Sequence, residues 1–429
     1  MTDSLQSPWL KKPILAWIFY DIASSSYALL VPGVIFAVYY RQVVCGGTAS
    51  CDARWAMLVS LSLVVTGLLS PLLGAIADLG GLRHRIFTLT TLLCCGATAS
   101  LHWVQPGDIV FGGFMFWLAH VGYNLSAGLY DAYLPALVPN PLIGRLSGLG
   151  WGLGYLGGLA CFLLSLPYTR GGIGPENLPL FRLTFFLISG FYFFLALPAL
   201  LWLPRQSGRS EPRKSASVGS LINQAYRQIW HTLRHWNQQS EVFKFLLSYY
   251  LISDGVVTVL SFVSIFISTQ FGYSIFQILQ LTLVFNLLAI PATILFGFLS
   301  TVYSTKLLIQ SNLGLWAGLI GLMVLSTHPL TPILIACLLG LVAGSTQSLC
   351  RGLFATMISE HQATEMFGFN ALVGRVSAIA GPLTFGLISS VTGSQRLGML
   401  SLLGFFGLGS YVLSHVVIHP KQSDPVSMG

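Results

Sequence analysis

The sequence predicts an all-α integral membrane protein, with twelve transmembrane helices arranged as two parallel six-helix repeats. Three observations predict it. The first is composition: 54% of the 429 residues are hydrophobic and 8% are charged, where a soluble domain carries about 25% charged residues. Mean hydropathy is +0.75. So few charges do not cover the surface of globular domains of this length, which excludes a soluble enzyme, a disordered chain and a coiled coil. The second is spacing: twelve apolar runs recur along the chain, and a span needs about 20 apolar residues. The third is a weak self-similarity between the halves, at an offset of roughly 225–233 residues.

The runs of the first half fall at 13–40, 55–77, 86–104, 109–134, 145–167 and 181–203; those of the second fall at 243–269, 275–299, 306–326, 331–350, 368–391 and 396–418. The domain division follows: residues 1–203, a linker over 204–241, and residues 242–429. The N-terminus lacks the features of a cleavable signal, so Lys11 and Lys12 lead into an uncleaved first span. Cys45 and Cys51 share one short loop, and a disulfide between them stays open at this stage. Cys94, Cys95, Cys161, Cys337 and Cys350 sit in apolar runs and read as inert fillers. The linker is the single long polar stretch. Its first part is rich in Ser, Arg and Pro. From Val218 to Trp236 it places Leu221, Ala225, Ile229, Trp230 and Leu233 at helical spacing, the pattern of an amphipathic helix lying on a membrane surface; a loosely ordered basic linker is the alternative.

Charge sets the orientation. With a cytoplasmic N-terminus and alternating spans, sixteen of the 21 Lys and Arg fall on the inside. Only Arg41, Arg54, Arg170, Arg182 and Arg396 fall outside, so the positive-inside rule puts both termini in the cytoplasm of a cell (inner) membrane. The net charge of +8 gathers at span ends and in the linker, as expected beside anionic lipid rather than nucleic acid.

The repeat has three matched points. Gly144-Arg145-Leu146-Ser147 matches Gly374-Arg375-Val376-Ser377, each opening the fifth span of its half. Asp21 matches Asp254, and Gly74, closing the second span, matches Gly297, closing the eighth. Each pair falls on one side of the membrane, so the halves are parallel repeats about an axis along the membrane normal.

Gly74–Arg85, GAIADLGGLRHR, carries the most specific motif. Glycine lets helices approach closely, Asp78 ends a span, and Arg83 and Arg85 follow in a tight loop. It resembles the loop signature of the major facilitator superfamily, with Leu79 and Leu82 replacing two basic residues. The second-half counterpart, GFLSTVYSTK, has Thr301 where the Asp should be. A cytoplasmic gate is therefore expected from Gly74, Asp78, Arg83 or Arg85, Asp131 and Arg351. Arg83 or Arg85 would pair with Asp131, and Asp78 would face the positive start of the eleventh span.

Asp21 lies nine residues past Lys12, about 13 Å into the bilayer, and Asp254 ten past Lys244, about 15 Å. A hydrocarbon core is about 30 Å thick, so both carboxylates fall near the midplane. Such groups are costly unless protonated, paired or facing a wet cavity, and they are functional candidates by default; the alternative is a hydrogen-bond network between packed helices. In the fourth span His120 suits a proton shuttle or a satisfied core histidine. Asn124 suits substrate binding or helix pairing, as do Asn286 and Gln347. Trp151 and Tyr155 lie in a glycine-rich fifth span, where tight packing explains the glycines without a ligand.

No enzyme constellation, metal-ligand spacing or phosphate loop is present, so neither catalysis, a cofactor, a metal nor ATP-driven transport is expected. Several segments resemble the vacuole-effluxer-like permeases, a branch of the major facilitators: AWIFYDIASSSYALLVPGVIFAVYY (Ala16–Tyr40), YDAYLPALVP (Tyr130–Pro139), GRLSGLGWGLGYLGG (Gly144–Gly158) and FGFNALVGRVSAIAGPLTFG (Phe367–Gly386). Ser24-Ser25-Ser26 stands where the branch has Ala-Asn-Ser. The resemblance implies the major facilitator fold and a secondary transporter, with Asp21 and Arg351 among its working residues. The expected function is alternating-access transport of a small polar metabolite, amino-acid efflux by resemblance, coupled to protons through Asp21 or Asp254. An exporter of amphipathic drugs or lipids and a non-transporting membrane sensor or scaffold are the alternatives.

Overall fold

The computed structural model describes residues 11–205, 218–234, 240–377 and 379–418. Twelve helical segments among them are long and apolar enough to cross a membrane, from Lys12–Val44 to Gln395–Ser414.

Local chemistry explains where several begin and end. Pro13 stands in the first turn of the helix Lys12–Leu30, where its missing N–H costs nothing. The second span, Ala49–Gly80, stops at Gly81, whose φ of 62° is left-handed and whose N–H caps the Ala77 carbonyl; a glycine there ends the helix without strain. Cys45, before the second span, and Cys51, in its first turn, form a disulfide. The eighth span, Ile275–Leu299, opens on a reciprocal capping box between Ser274 and Gln277. The eleventh span, read from sequence as one run, is two helices, Ala363–Val376 and Ala380–Thr392.

The chain forms two compact units. The first comprises 1–133, 149–229 and 364–375; the second comprises 134–148, 230–363 and 376–429. In the first unit, span 1 packs on span 6, span 3 on spans 4 and 6, and span 2 on span 4. In the second, span 7 packs on span 12, span 9 on spans 10 and 12, and span 8 on span 10. Adding six to each number of the first set yields the second, which is the repeat expressed as packing.

The linker helix covers Val218–Arg234. Ala225 and Thr232 are buried and Ile229 is half-buried, but Trp230 is 67% exposed. Trp230 therefore does not share the face of Ala225 and Ile229, as the spacing suggested. It belongs to a second apolar row with Ile222 and Tyr226, both exposed. On the inner face Gln228 donates to the Glu365 carboxylate.

Candidate functional site

The glycine motif of the first unit builds a buried charged knot. At Gly74 a Cβ would lie 2.7 Å from the Thr364 carbonyl carbon and 2.9 Å from Glu365 Cα, so only glycine lets the second span run against the start of the eleventh. One turn on, Asp78 Oδ1 accepts from Arg83 Nη2 at 2.9 Å, and both side chains are 3% exposed. Asp78 Oδ2 accepts the backbone N–H of Glu365 at 3.0 Å. Glu365 is the third residue of the helix Ala363–Val376, so this carboxylate sits on a positive helix end. Arg83 donates from Nε to Thr364 Oγ1 (2.5 Å) and from Nη1 to the carbonyl of Ala132 (3.2 Å), next to Asp131. Arg85 is exposed and makes no hydrogen bond or ion pair among the described residues.

The second unit has a differently made counterpart. Gly297 and Gly148 meet backbone to backbone: a Cβ on either would fall 2.7–2.8 Å from the other's Cα. Arg351 donates to Ser147, to Oγ at 2.9 Å and to the carbonyl at 3.0 Å, and Ser147 Oγ donates to the Ser348 carbonyl at 2.8 Å. The Arg145 guanidinium lies 4.1 Å from the Phe298 ring centroid. Thr301 turns back on its own helix, to the Phe298 carbonyl at 2.8 Å. The glycine closing span 2 thus meets span 11, and its mate closing span 8 meets span 5. One joint is held by a carboxylate and an arginine, the other by an arginine and a serine.

Deeper in the first unit lies a polar and aromatic cluster. The rings of Trp55, Phe116, His120, Tyr123 and Tyr27 form a continuous ladder, with neighbouring centroids 4.3–6.3 Å apart. The Tyr27 hydroxyl and His120 Nδ1 are buried without a hydrogen-bond partner among the described residues. Asp21, Asp131 and Arg375 all lie within electrostatic reach of Tyr123. Arg375 packs beside Gly67 of the second span. Asn124 donates to the His120 carbonyl at 2.7 Å and Asn286 to the Thr282 carbonyl at 2.8 Å, each within its own helix. Gly154 and Gly157 press span 5 onto the backbone of Asp21 and Ile22. Trp151 and Tyr155, on the same span, are half-buried with ring centroids 6.3 Å apart.

In the second unit Asp254 is fully buried. Its Oδ1 accepts the N–H of Gly381 at 2.8 Å, in the first turn of the helix Ala380–Thr392. Its Oδ2 has no partner among the described residues. Gly381 makes room for this contact, because a Cβ there would lie 2.7 Å from Asp254 Oδ1 and displace the carboxylate. Gln347 accepts from the Tyr249 hydroxyl at 3.2 Å. Sequence reasoning did not single out Thr364, Glu365, Ser147, Tyr27 or Gly381; only the Gly144/Gly374 repeat match pointed toward Ser147 and Arg375. For Thr364, Glu365, Ser147 and Gly381 the signal is a partner more than 100 residues away.

Residues 10–424 match the family model described as vacuole effluxer Atg22 like. The chain belongs to that family. An uncharacterised MFS-type transporter of Bacillus subtilis, YxiO, is 24% identical over 416 residues, covering 94% of each chain. The autophagy-related protein 22-1 of Penicillium rubens is 24% identical over 72% of this chain and 55% of its own length; the chain thus spans about half of that fungal Atg22 relative. Among solved structures, the proton:xylose symporter XylE aligns with a TM-score of 0.71 over 95% of both chains at 14% identity. A bacterial homologue of the iron transporter ferroportin, in an outward-facing state, aligns at 0.67 over 94% of this chain and 98% of its own. The fold is that of the major facilitator transporters, and this Atg22-like chain is a multi-pass membrane transporter of that superfamily.

Proposed function

We propose that this Atg22-like protein is a secondary active transporter of a small polar metabolite, exporting amino acids in exchange for protons. The carrying observation is the first-unit cluster, where Asp21, Asp131 and Arg375 lie within electrostatic reach of Tyr123, and the neighbouring Tyr27 hydroxyl and His120 Nδ1 have no hydrogen-bond partner among the described residues. A site with both signs of charge suits a solute carrying both, and unpaired buried donors and acceptors favour a ligand that pairs them. Asp254 is the preferred proton carrier, because one oxygen is held by Gly381 while the other is left over in a buried setting. Alternating access then rocks the repeats about a midplane site, with both termini cytoplasmic. The Asp78–Arg83–Glu365 knot acts as the latch of the cytoplasmic side. The Cys45–Cys51 disulfide supports this orientation, since it needs an oxidising side.

The amphipathic-solute reading draws on one observation: an apolar cavity of about 160 Å³ among spans 7, 8 and 10, lined by Leu260, Val263, Ile267, Leu281 and Phe285. Tracer flux in proteoliposomes separates the two. Accumulation of labelled amino acids driven by a pH gradient supports the proposal; flux of amphipathic dyes alone, or no flux with intact ligand binding, overturns it. Asp254→Asn keeps the acceptor for Gly381 and removes the titrating group, so gradient-driven accumulation is lost while exchange persists. Unchanged gradient dependence in Asp254→Asn, Asp21→Asn and the double variant removes both from the proton role.

A further inference from the structure

The linker helix has two faces with different fates. Ala225, Gln228, Ile229 and Thr232 form the inner face, buried or half-buried and tied to Glu365 through Gln228. The outer face carries two adjacent stripes. Ile222, Tyr226 and Trp230 recur at four-residue spacing, 39%, 58% and 67% exposed. Beside them Asn223, Arg227, His231 and Arg234 are exposed as well. Arg234 continues the aromatic row by one further turn. The helix contains no acidic residue, so its outer face presents only positive charge.

An exposed tyrosine and tryptophan on a helix with a water-facing alternative need an explanation, because a soluble surface does not gain from them. The helix is also tethered to the bilayer. Five residues, 235–239, separate Arg234 from Ser240, where the seventh span begins; at about 3.5 Å per residue that segment reaches about 20 Å. Aromatic side chains seek the headgroup level, where the ring sits in the apolar boundary and the polar edge stays wet. Arginines beside them find phosphate there.

We propose that the outer face of the linker helix docks on the anionic phospholipid surface of the adjoining leaflet. The Ile222–Tyr226–Trp230 stripe enters the acyl boundary, and Arg227 and Arg234 pair with lipid phosphates. The inner face stays on the protein, so Gln228 links the charge of the leaflet to Glu365 and thereby to the joint that Asp78 and Arg83 hold. Charge complementarity selects this occupant: a second copy of the chain presents the same positive face and is repelled.

The test uses the full-length protein with Cys94, Cys95, Cys161, Cys337 and Cys350 replaced by alanine and an environment-sensitive fluorophore on Asn223→Cys, between the two stripes. It is reconstituted in phosphatidylcholine vesicles with and without phosphatidylglycerol, some with brominated acyl chains as quenchers. Phosphatidylglycerol is expected to blue-shift the emission and raise quenching. Arg227→Gln and Arg234→Gln each lower the ratio of embedded to free probe by about fivefold, the weight of one basic residue at an anionic surface. Salt reproduces their effect, and Tyr226→Ser/Trp230→Ser abolishes quenching in both lipids. Thermal unfolding of each variant in detergent confirms that it is folded. Equal signals in neutral and anionic vesicles overturn the proposal. So does a blue shift in detergent with inorganic phosphate alone, which assigns the site to a free anion, or a probe shielded in lipid-free detergent, which assigns the stripe to another protein surface. No substrate enters the measurement, so it is decided independently of the transport proposal.

Discussion

At the scale of single residues, burial changes what a charge does. Asp78 and Arg83 would be ordinary span-end charges worth under about 1 kcal/mol if solvated. Both are 3% exposed, and each makes further hydrogen bonds to backbone or hydroxyl. Breaking such a pair from one side leaves an uncompensated buried charge, which costs about 3–5 kcal/mol. Asp78→Asn and Arg83→Gln are each expected to lower the thermal unfolding temperature and to open the proposed cytoplasmic cavity to thiol reagents. The double variant recovers part of the loss, because no lone charge remains. Strict additivity in that double-mutant cycle shows that the two residues do not act together.

Among the helices, the decisive feature is how closely two backbones come. Gly148 and Gly297 leave no room for a side chain on either helix, since the atoms a Cβ would strike belong to the opposing backbone. Gly148→Val is expected to destabilise the protein by about 1–3 kcal/mol, the usual cost of overpacking, seen as a lower unfolding temperature in detergent. Gly314 lies in the interior of the ninth span with open space around it. Gly314→Ala is expected to be neutral or to stabilise by about 0.5–1 kcal/mol, the helix-propensity gain. Equal effects at the two positions remove close packing as the reason for the glycines of the fifth and eighth spans. The broken eleventh span belongs to this scale too. Its second helix starts against the Asp254 carboxylate rather than against a capping side chain of its own.

For the whole molecule, orientation and loop chemistry go together. A cysteine placed at Ser215, outside the described residues, is expected to resist a membrane-impermeant thiol reagent in intact cells lacking other reactive thiols; labelling from outside reverses the map. Cys45→Ser/Cys51→Ser removes a short cross-link, and its entropic value is about 2 kcal/mol for a loop of this length. A modest fall in unfolding temperature is therefore expected, reproduced by reductant on the wild-type protein and absent when reductant is added to the variant.

The spans and the parallel repeat were legible in the residues alone. Hydropathy, glycine spacing and charge are local properties that a bilayer reads one segment at a time, so a linear pattern determines them. Gly74, Asp78 and Arg83 were legible for the same reason, as a contiguous motif. Their partners were not. Thr364 and Glu365 meet Asp78 and Arg83, Gly381 meets Asp254, Ser147 meets Arg351, and Gln228 meets Glu365, all across more than 100 residues of chain. None of these carries a local signature, since a threonine or a backbone N–H becomes a charge partner only when packing brings it there and excludes water. The linker helix shows the same limit: its apolar residues were evident, but two rows competed, and only tertiary packing, which buries Ala225 and Thr232 and brings Gln228 to Glu365, decided which row is left exposed.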